Sequence, residues 1–482
     1  MIDSPYLKEL NGYIDGAWVA ADSGKTFDVK NPATGELLAQ VAAMGPDETT
    51  RAIDAAEAAR FNGASFEQRV EWLLAIDREL RAGKEEIGRI LTMEHGKPLA
   101  EAIAEVEYAA GFFKDAAENI DCIKPHTLDT KPRGCTWTVH YRPAGTVALV
   151  TPWNFPIGMI AKKLAPAIAA NCPSVTKASS KTPLSMICLF SILHEKLDLP
   201  KGFVNLVSGS AGPISDTLCA DHRVAVLSFT GSTGIGVQLI DRTKDHCKRL
   251  ALELGGNAPF IVFEDADLDK AADNLAANKF RGGGQTCVCA NRVLVQKGVA
   301  DAFTEKFVER VKKIKVGNGL DEGVTMGPLI DKNGFNKVRE HVQDALDKGA
   351  TIVTGQLMPL ATENFGCFYP PTVLRGVTPQ AACFREETFG PLAPIIEFED
   401  EEEAIRLAND TEFGLASYVF SQDIDRAERV AERIHFGHCG INTGTGPTPE
   451  APFGGMLESG WGREGGTEGL HEFVEPQTIP HG

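Results

Sequence analysis

At 482 residues, with 43% hydrophobic and 24% charged side chains, the chain has an ordinary globular composition, which predicts two or three domains and excludes disorder or a fibrous repeat. The 48 Lys and Arg stand against 66 Asp and Glu, and the net charge of −18 repels nucleic acid and anionic lipid, so neither is expected as a partner. No stretch approaches the ~20 apolar residues of a membrane span. The opening MIDSPYLKELNGYIDG has neither a basic nor an apolar leader segment and the 11 cysteines lack repeated spacing, so a cytoplasmic protein with reduced thiols is expected.

From about Asp47 to Ile120 the pattern is helical, with Val70, Leu73, Leu74 and Ile76 at helix spacing inside Phe66 to Arg81. Between Asn119 and Tyr141, CTWTVHY alternates as an exposed strand does, and the tail FVEPQTIP reads as its extended partner. From Gly145 short apolar runs alternate with helices: GTVALVT, PSVTKA, FVNLVSG, VAVLSFTG and APFIVFED, the signature of a doubly wound, mostly parallel α/β sheet. After Asp267 a second alternation begins, with RVLVQ at 292–296, a helix near Ala300 to Ile314, ATIVTG at 350–355 and APIIEF at 393–398. The predicted division is 1–121 with 145–255, then 256–440, with 122–144 and 441–482 as an arm and tail. The join falls near Gly255 to Asp267, and a cleft between two such domains is a natural ligand site.

Six short segments carry chemistry. In FRGGGQTCVCANR, 280–292, glycines let the backbone approach a ligand and their amides can cradle developing negative charge, which places Cys287 as an accessible nucleophile; a buried cysteine in a glycine-rich turn explains that stretch equally well. In LELGGN, 252–257, Glu253 at a strand end is a candidate general base, against a plain surface carboxylate. In TPWNFP, 151–156, the prolines fix the backbone so that the Asn154 amide can be aimed as an oxyanion donor, or simply make a rigid turn. FTGSTGIG, 229–236, offers a strand, a glycine turn and a helix start suited to a pyrophosphate, with Ser232 as a donor. VTKASSKTP, 175–183, puts Lys177 just past a strand, and REETFGP, 385–391, supplies Glu387 and Phe389; each also reads as surface decoration.

Together and in this order, these segments resemble the aldehyde dehydrogenase superfamily from about Asn11 to the C-terminus. FRGGGQTCVCANR, INTG at 441–444, APFGG and SGWGREGG look most like its succinate semialdehyde dehydrogenase branch. The resemblance implies a Rossmann-like cofactor domain (1–121 and 145–255), an α/β catalytic domain (256–440), a small β oligomerisation arm with the C-terminal tail (122–144 and 441–482), and a homodimer or homotetramer. It implies Cys287 as nucleophile, Glu253 as general base, and Asn154 with the Cys287 amide as oxyanion donors. Trp153, Lys177, Ser180, Gly231, Ser232, Glu387 and Phe389 would line a site for NADP or NAD. The implied reaction oxidises an aldehyde to a carboxylic acid through a Cys287 thiohemiacetal and thioester. Relatives that pass the acyl group to coenzyme A typically lack the glutamate present here as Glu253.

Where NAD-preferring relatives often carry a glutamate, this chain has Ser180, three residues after Lys177, an arrangement that does not repel a 2′-phosphate and predicts that NADP is accepted. Relatives that oxidise succinate semialdehyde hold its distal carboxylate with two arginines and a serine. Arg281 matches one arginine, Lys162 in GMIAKKLAP stands at the other, and the serine region reads Gly446, Pro447, Thr448. An ammonium attracts an anion without the guanidinium's fork, so the expected substrate is a short semialdehyde with a distal anion, with longer, branched or sulfonated ones open. A broad-range or aromatic aldehyde dehydrogenase is the alternative, with Lys162 a solvated helix residue; a catalytically silent relative would lack Cys287, Glu253 or Asn154. Cys289 resembles the partner cysteine of relatives that form a reversible disulfide, which predicts a redox switch. No metal is expected, because no second Cys or His pair with ligand spacing accompanies these cysteines.

Overall fold

The computed structural model describes residues 2–61 and 63–482. Two parallel sheets organise it. In the first, strands Thr146–Val150, Ser174–Lys177, Val204–Val207, Val224–Thr230 and Arg249–Glu253 lie parallel in the spatial order third, second, first, fourth, fifth. These strands are almost wholly buried, which is why they read as continuous apolar runs. The order reverses between Thr146–Val150 and Val224–Thr230, and ligands of such sheets bind beyond the strand ends at that reversal.

Both edges carry pieces that hydrophobic patterning did not predict. The N-terminal strands Gly12–Ile14 and Ala17–Val19 form a hairpin on the Val204–Val207 edge, turned by Asp15 and Gly16 at φ 54° and 81°. Gly460–Trp461, from the segment read as tail, pairs antiparallel with Leu252 and Glu253 on the other edge.

The helical lead-in resolves into Pro46–Ala58, Phe66–His95 and Leu99–Glu118. Ser65 opens the second with a reciprocal Ser65–Gln68 capping box, and Gly96, at φ 93°, closes it. Leu73, Ile76, Leu80, Ile87, Ile90 and Leu91 form its buried face. Helix Pro156–Ala169 is buried along its whole length, including Lys162 and Lys163.

The second sheet runs Thr351–Thr354, Thr372–Arg375, Leu392–Phe398, Ala290–Gln296, Ala258–Val262, Ala416–Phe420, His438–Ile441, parallel except for its first strand. Leu254–Asn257 is the whole connection from Glu253, in the first sheet, to Ala258, in the second. Thr136–Pro143 pairs antiparallel with Val474–His481 from Pro143↔Val474 to Thr136↔His481, and His126–Thr127 adds a third strand. Among the described residues no helix is long and apolar enough to cross a membrane.

The buried guanidinium of Arg292 fastens the crossing. It donates to the carbonyls of Asn257 (3.1 and 2.9 Å), Leu407 (2.8 Å) and Ala408 (2.8 Å), and burial lowers its pKa to about 9. Arg292→Met would leave these acceptors unsatisfied at a cost of roughly 3 kcal/mol or more. Its thermal unfolding midpoint should fall by several degrees in scanning calorimetry; an unchanged midpoint would show that the crossing does not depend on this contact.

Candidate active site

Cys287 sits where two cavities meet. One, of about 200 Å³, is lined by residues including Glu101, Tyr108, Lys162, Arg281 and Cys287. The other, of about 250 Å³, is lined by residues including Trp153, Asn154, Gly231, Ser232, Glu387 and Cys287. Met159 borders both.

The turn before Cys287 exists because three glycines take conformations L side chains avoid. Gly282, Gly283 and Gly284 have φ of 57°, 68° and 75°, and a Cβ on Gly284 would meet the Gly390 carbonyl at 2.2 Å. Gln285 staples the turn: its amide donates to Gly282 O (2.9 Å), and its side-chain oxygen accepts from Ile330 N (2.9 Å). The Gln285 carbonyl accepts from Asn154 Nδ2 at 3.0 Å, tying the oxyanion candidate to the nucleophile loop.

Glu253 ends the last parallel strand of the first sheet and is 2% exposed, so it is no surface carboxylate. The Cys287 thiol donates to Glu253 Oε1 at 3.1 Å, and Thr230 Oγ1 donates to Oε2 at 3.1 Å. Burial pushes the Glu253 carboxyl above its ordinary range, partly opposed by the Lys162 ammonium. Burial and the Glu253 charge push the Cys287 thiol well up. The pair is therefore a thiol beside a basic carboxylate, the arrangement for passing the thiol proton to Glu253 as Cys287 attacks a carbonyl. Close approach is possible because residue 256 is glycine: a Cβ there would lie 2.7 Å from the Cys287 carbonyl.

In the second cavity the Gly256 amide donates to Glu387 Oε1 at 3.1 Å, and burial raises the Glu387 pKa to about 7. Phe389, at φ 56°, stands edge-on to Trp153 at 5.7 Å. Ser232 begins helix Thr233–Thr243 and its hydroxyl makes no cap hydrogen bond, so it is available where first-turn amides have no intrahelical acceptor. A dinucleotide fits this lining: a helix start for its pyrophosphate, a carboxylate for ribose hydroxyls, and a mouth on Cys287. Lys337, which also lines this cavity, was missed by motif reading because it stands on an ordinary amphipathic helix, Lys332–Asp347. Lys177 and Ser180 lie outside the lining, at and beyond the end of the neighbouring strand. Lys177 is 4% exposed, not surface decoration, and burial lowers its pKa to about 8.

In the first cavity Lys162 is 2% exposed, which overturns the reading of it as a solvated helix residue. Its ammonium lies 3.6 Å from Glu464 Oε2 and 4.8 Å from the Phe453 ring centroid. Burial works against its charge, but Tyr108, Glu253 and Glu464 outweigh burial and hold the Lys162 pKa above its ordinary value. Lys163 bonds Glu464 Oε1 and, at 3.1 Å, Ser228 Oγ. Arg281 makes no ion pair among the described residues; its Nε is buried without a partner and its guanidinium lies 5.5 Å from the Phe155 ring centroid. Pro447 reaches the lining from the region aligned with the relatives' serine.

Cys289 is buried, with its sulfur 2.8 Å from Thr286 Oγ1 and 3.0 Å from Asn278 O, while Cys287 faces Glu253. A disulfide between the two requires Cys289 to leave those partners. No group of three or more His, Cys, Asp or Glu with metal-holding geometry occurs among the described residues.

A thiol hydrogen-bonded to a buried carboxylate stands at the mouth of a cavity that a dinucleotide fits. The Aldehyde dehydrogenase family profile matches residues 18–479. Over 471 residues the chain is 46% identical to the glutarate-semialdehyde dehydrogenase of Pseudomonas putida, covering 97% of each chain. It is 46% identical over 464 residues to the NADP(+) succinate-semialdehyde dehydrogenase of Escherichia coli, covering 96% of this chain and 95% of that one. The crystal structure of an oxidoreductase from Marinobacter aquaeolei superimposes with a TM-score of 0.97, 58% identity and 100% coverage of both chains. The chain belongs to the aldehyde dehydrogenase family and is an oxidoreductase.

The 256 position offers a direct test. Its φ is unrestricted, so Gly256→Ala acts through the push on the Cys287 carbonyl, and a displacement of this kind costs about 100-fold in kcat. Reduced-nicotinamide formation should fall by that order with the unfolding midpoint within a few degrees of wild type; an alanine enzyme of normal kcat would show that the loop yields freely.

Proposed function

We propose that the chain oxidises a short aldehyde carrying a distal anion, such as succinate or glutarate semialdehyde, to the carboxylic acid, with NADP or NAD as oxidant. The observation that carries this reading is the unpaired Arg281 guanidinium beside Lys162 in a cavity that ends on Cys287. The cavity walls also hold Glu101 and Glu105, but these are engaged: Glu101 accepts from Gly282 N at 2.8 Å and Glu105 pairs with Lys97. Of the cationic heads in this lining, Lys97 is engaged by Glu105 and Lys162 faces Glu464 at 3.6 Å, which leaves Arg281 as the one without an ion pair among the described residues.

In this reading Glu253 takes the Cys287 proton as the sulfur attacks the aldehyde carbon, and Asn154 with the Cys287 amide holds the oxyanion of the thiohemiacetal. When bound, the nicotinamide supplies the hydride acceptor. Once Glu253 has released the thiol proton to solvent, it deprotonates the water that attacks the thioester, and the Cys287 thiolate leaves. Trp153, Gly231, Ser232, Glu387 and Phe389 hold the dinucleotide, and Lys177 with Ser180 admits a 2′-phosphate. We assign 1–121 with 145–255 to cofactor binding, 256–440 to catalysis, and the half-buried Thr136–Pro143 with its largely exposed partner Val474–His481 to subunit contact in a homo-oligomer.

Crossing NAD and NADP against succinate semialdehyde, glutarate semialdehyde, butanal and benzaldehyde tests the substrate class. We expect at least 10-fold higher kcat/KM for the semialdehydes, with NADP serving at least as well as NAD. Arg281→Leu should remove most of that advantage by raising KM; preference for neutral aldehydes would move the chain to a broad-range or aromatic activity.

Glu253→Gln should stop turnover after one reduced nicotinamide per Cys287, formed slowly, because the thioester persists. In the wild type the hydrolytic base works unprotonated, so its raised pKa places the acid limb of kcat above the ordinary glutamate range, with rate lost as pH falls through it. Full turnover by the glutamine enzyme would assign the base elsewhere.

A further inference from the structure

We propose that Lys97 is a positioning residue for acylation: its ammonium holds the Asn154 carbonyl and thereby sets where the Asn154 side-chain amide meets the oxyanion. The inference rests on reading Asn154 as the oxyanion donor, and concerns what keeps that donor in place.

Lys97 lies in the turn between helices Phe66–His95 and Leu99–Glu118 and is 2% exposed. The turn is forced by Gly96, whose left-handed φ of 93° and contacts of an added Cβ with Pro328 (2.8 Å) and Pro32 (3.0 Å) exclude a side chain. From there Lys97 Nζ donates to Asn154 O at 2.8 Å, pairs with Glu105 Oε2 at 2.5 Å and lies 3.9 Å from the Phe155 ring centroid. The other Glu105 oxygen accepts from the Ile157 and Gly158 amides, each at 3.2 Å, where helix Pro156–Ala169 begins. The Lys97 amide donates to His95 Nδ1 at 3.2 Å, and the His95 ring stacks on Trp153 at 5.7 Å. The segment from Trp153 to Gly158 is thus gripped along its length by residues 95–105.

The pair is wholly buried, with side-chain exposures of 1% and 0%. Taking two charges out of water opposes folding, and apolar side chains of similar volume generally stabilise as well or better, so stability alone does not account for the pair. What it supplies is direction. An oxyanion donor acts only if its N–H is aimed at the oxygen that becomes charged, and a fixed ammonium on the same residue's carbonyl sets the peptide plane from which the side chain leaves. Lys97 also touches the substrate cavity, so anchoring of a substrate anion is the competing role. Asn154 O and Glu105 already engage its ammonium, whereas Arg281 makes no ion pair among the described residues.

A double-mutant cycle separates these roles. Lys97→Met, Asn154→Ala and the double variant would be compared in the acylation burst at saturating NADP, with succinate semialdehyde and with butanal. We expect Lys97→Met to slow the burst about 10- to 100-fold with both aldehydes, yet less than about 3-fold on the Asn154→Ala background. Lys97→Arg should recover part of the rate. Equal-fold losses in both backgrounds, or a loss confined to succinate semialdehyde, would overturn the proposal. A harmless Asn154→Ala would instead remove the oxyanion assignment itself. If Lys97→Met fails to fold, Glu105→Gln, which keeps an acceptor for the amides and removes the counterion, enters the same cycle with the same expectations.

Discussion

The passage of Gly256 beneath the Cys287 loop is the contact on which the rest of the site depends. The chain crosses between its two sheets in the residues Leu254–Asn257, and the crossing runs so close to Cys287 that residue 256 has no room for a Cβ. Glu253 ends the last parallel strand of one sheet and Cys287 comes just before a strand of the other, so a longer connection would leave the two independent. The same backbone turns its Gly256 amide to Glu387 and its Asn257 carbonyl to Arg292. Glu253, Cys287 and Glu387 are therefore placed by one short run of main chain, and the chemistry proposed for them is of a kind sensitive to small displacements.

Charge within the site is divided by environment rather than by residue type. Glu253 and Glu387 are raised by burial, which suits Glu253 to the work of a base. Glu464 is buried too, but Lys163 and Lys162 outweigh burial and hold its carboxyl below the ordinary range. When environments push similar groups apart in this way, the raised member is the candidate for proton transfer and the lowered one is a fixed counterion. Glu464 is then the charge that lets Lys162, which lines the first cavity, and its neighbour Lys163 be buried without a cost in unpaired ammonium groups.

Much of this was legible in the sequence, for identifiable reasons. Buried parallel strands read as uninterrupted apolar runs, so GTVALVT, PSVTKA, FVNLVSG and VAVLSFTG located four of the eight strands of the first sheet, whereas APFIVFED, read in the same series, forms Ala258–Val262 of the second. Gly12–Ile14, Ala17–Val19 and Gly460–Trp461 are too short for periodicity and exist because they dock on sheet edges, although Asp15-Gly16 was a readable turn signal. Cys287, Glu253 and Asn154 stood out because glycines or prolines flank them. Lys97, Glu105, Tyr108 and Lys337 did not, since three of them lie on helices and Lys97 at a helix turn, where charged or polar residues normally read as solvated. One cue was present: Lys162 and Lys163 interrupt an otherwise apolar stretch, and in a helix with no polar face a lysine has to be buried and partnered.

The buried lysines also connect substrate charge to catalysis. Lys162 lines the cavity proposed for the aldehyde's tail, lies 3.6 Å from Glu464, and helps to restrain the rise in the Glu253 pKa. An anion drawn to Arg281 and Lys162 adds negative charge to a cavity already flanked by two carboxylates. By Coulomb's law in a medium of low polarity, that charge offsets part of the Lys162 field at Glu253 and increases the affinity of Glu253 for a proton. The increase comes when the base has a thiol, and later a water, to deprotonate. A neutral aldehyde of equal length leaves Lys162 unopposed and Glu253 less basic. On the proposed reading, selectivity for anionic substrates has two physical sources in this cavity, attraction in the bound state and a stronger base in the acylated one, and a lysine that touches both the cavity and the carboxylate network is suited to couple them.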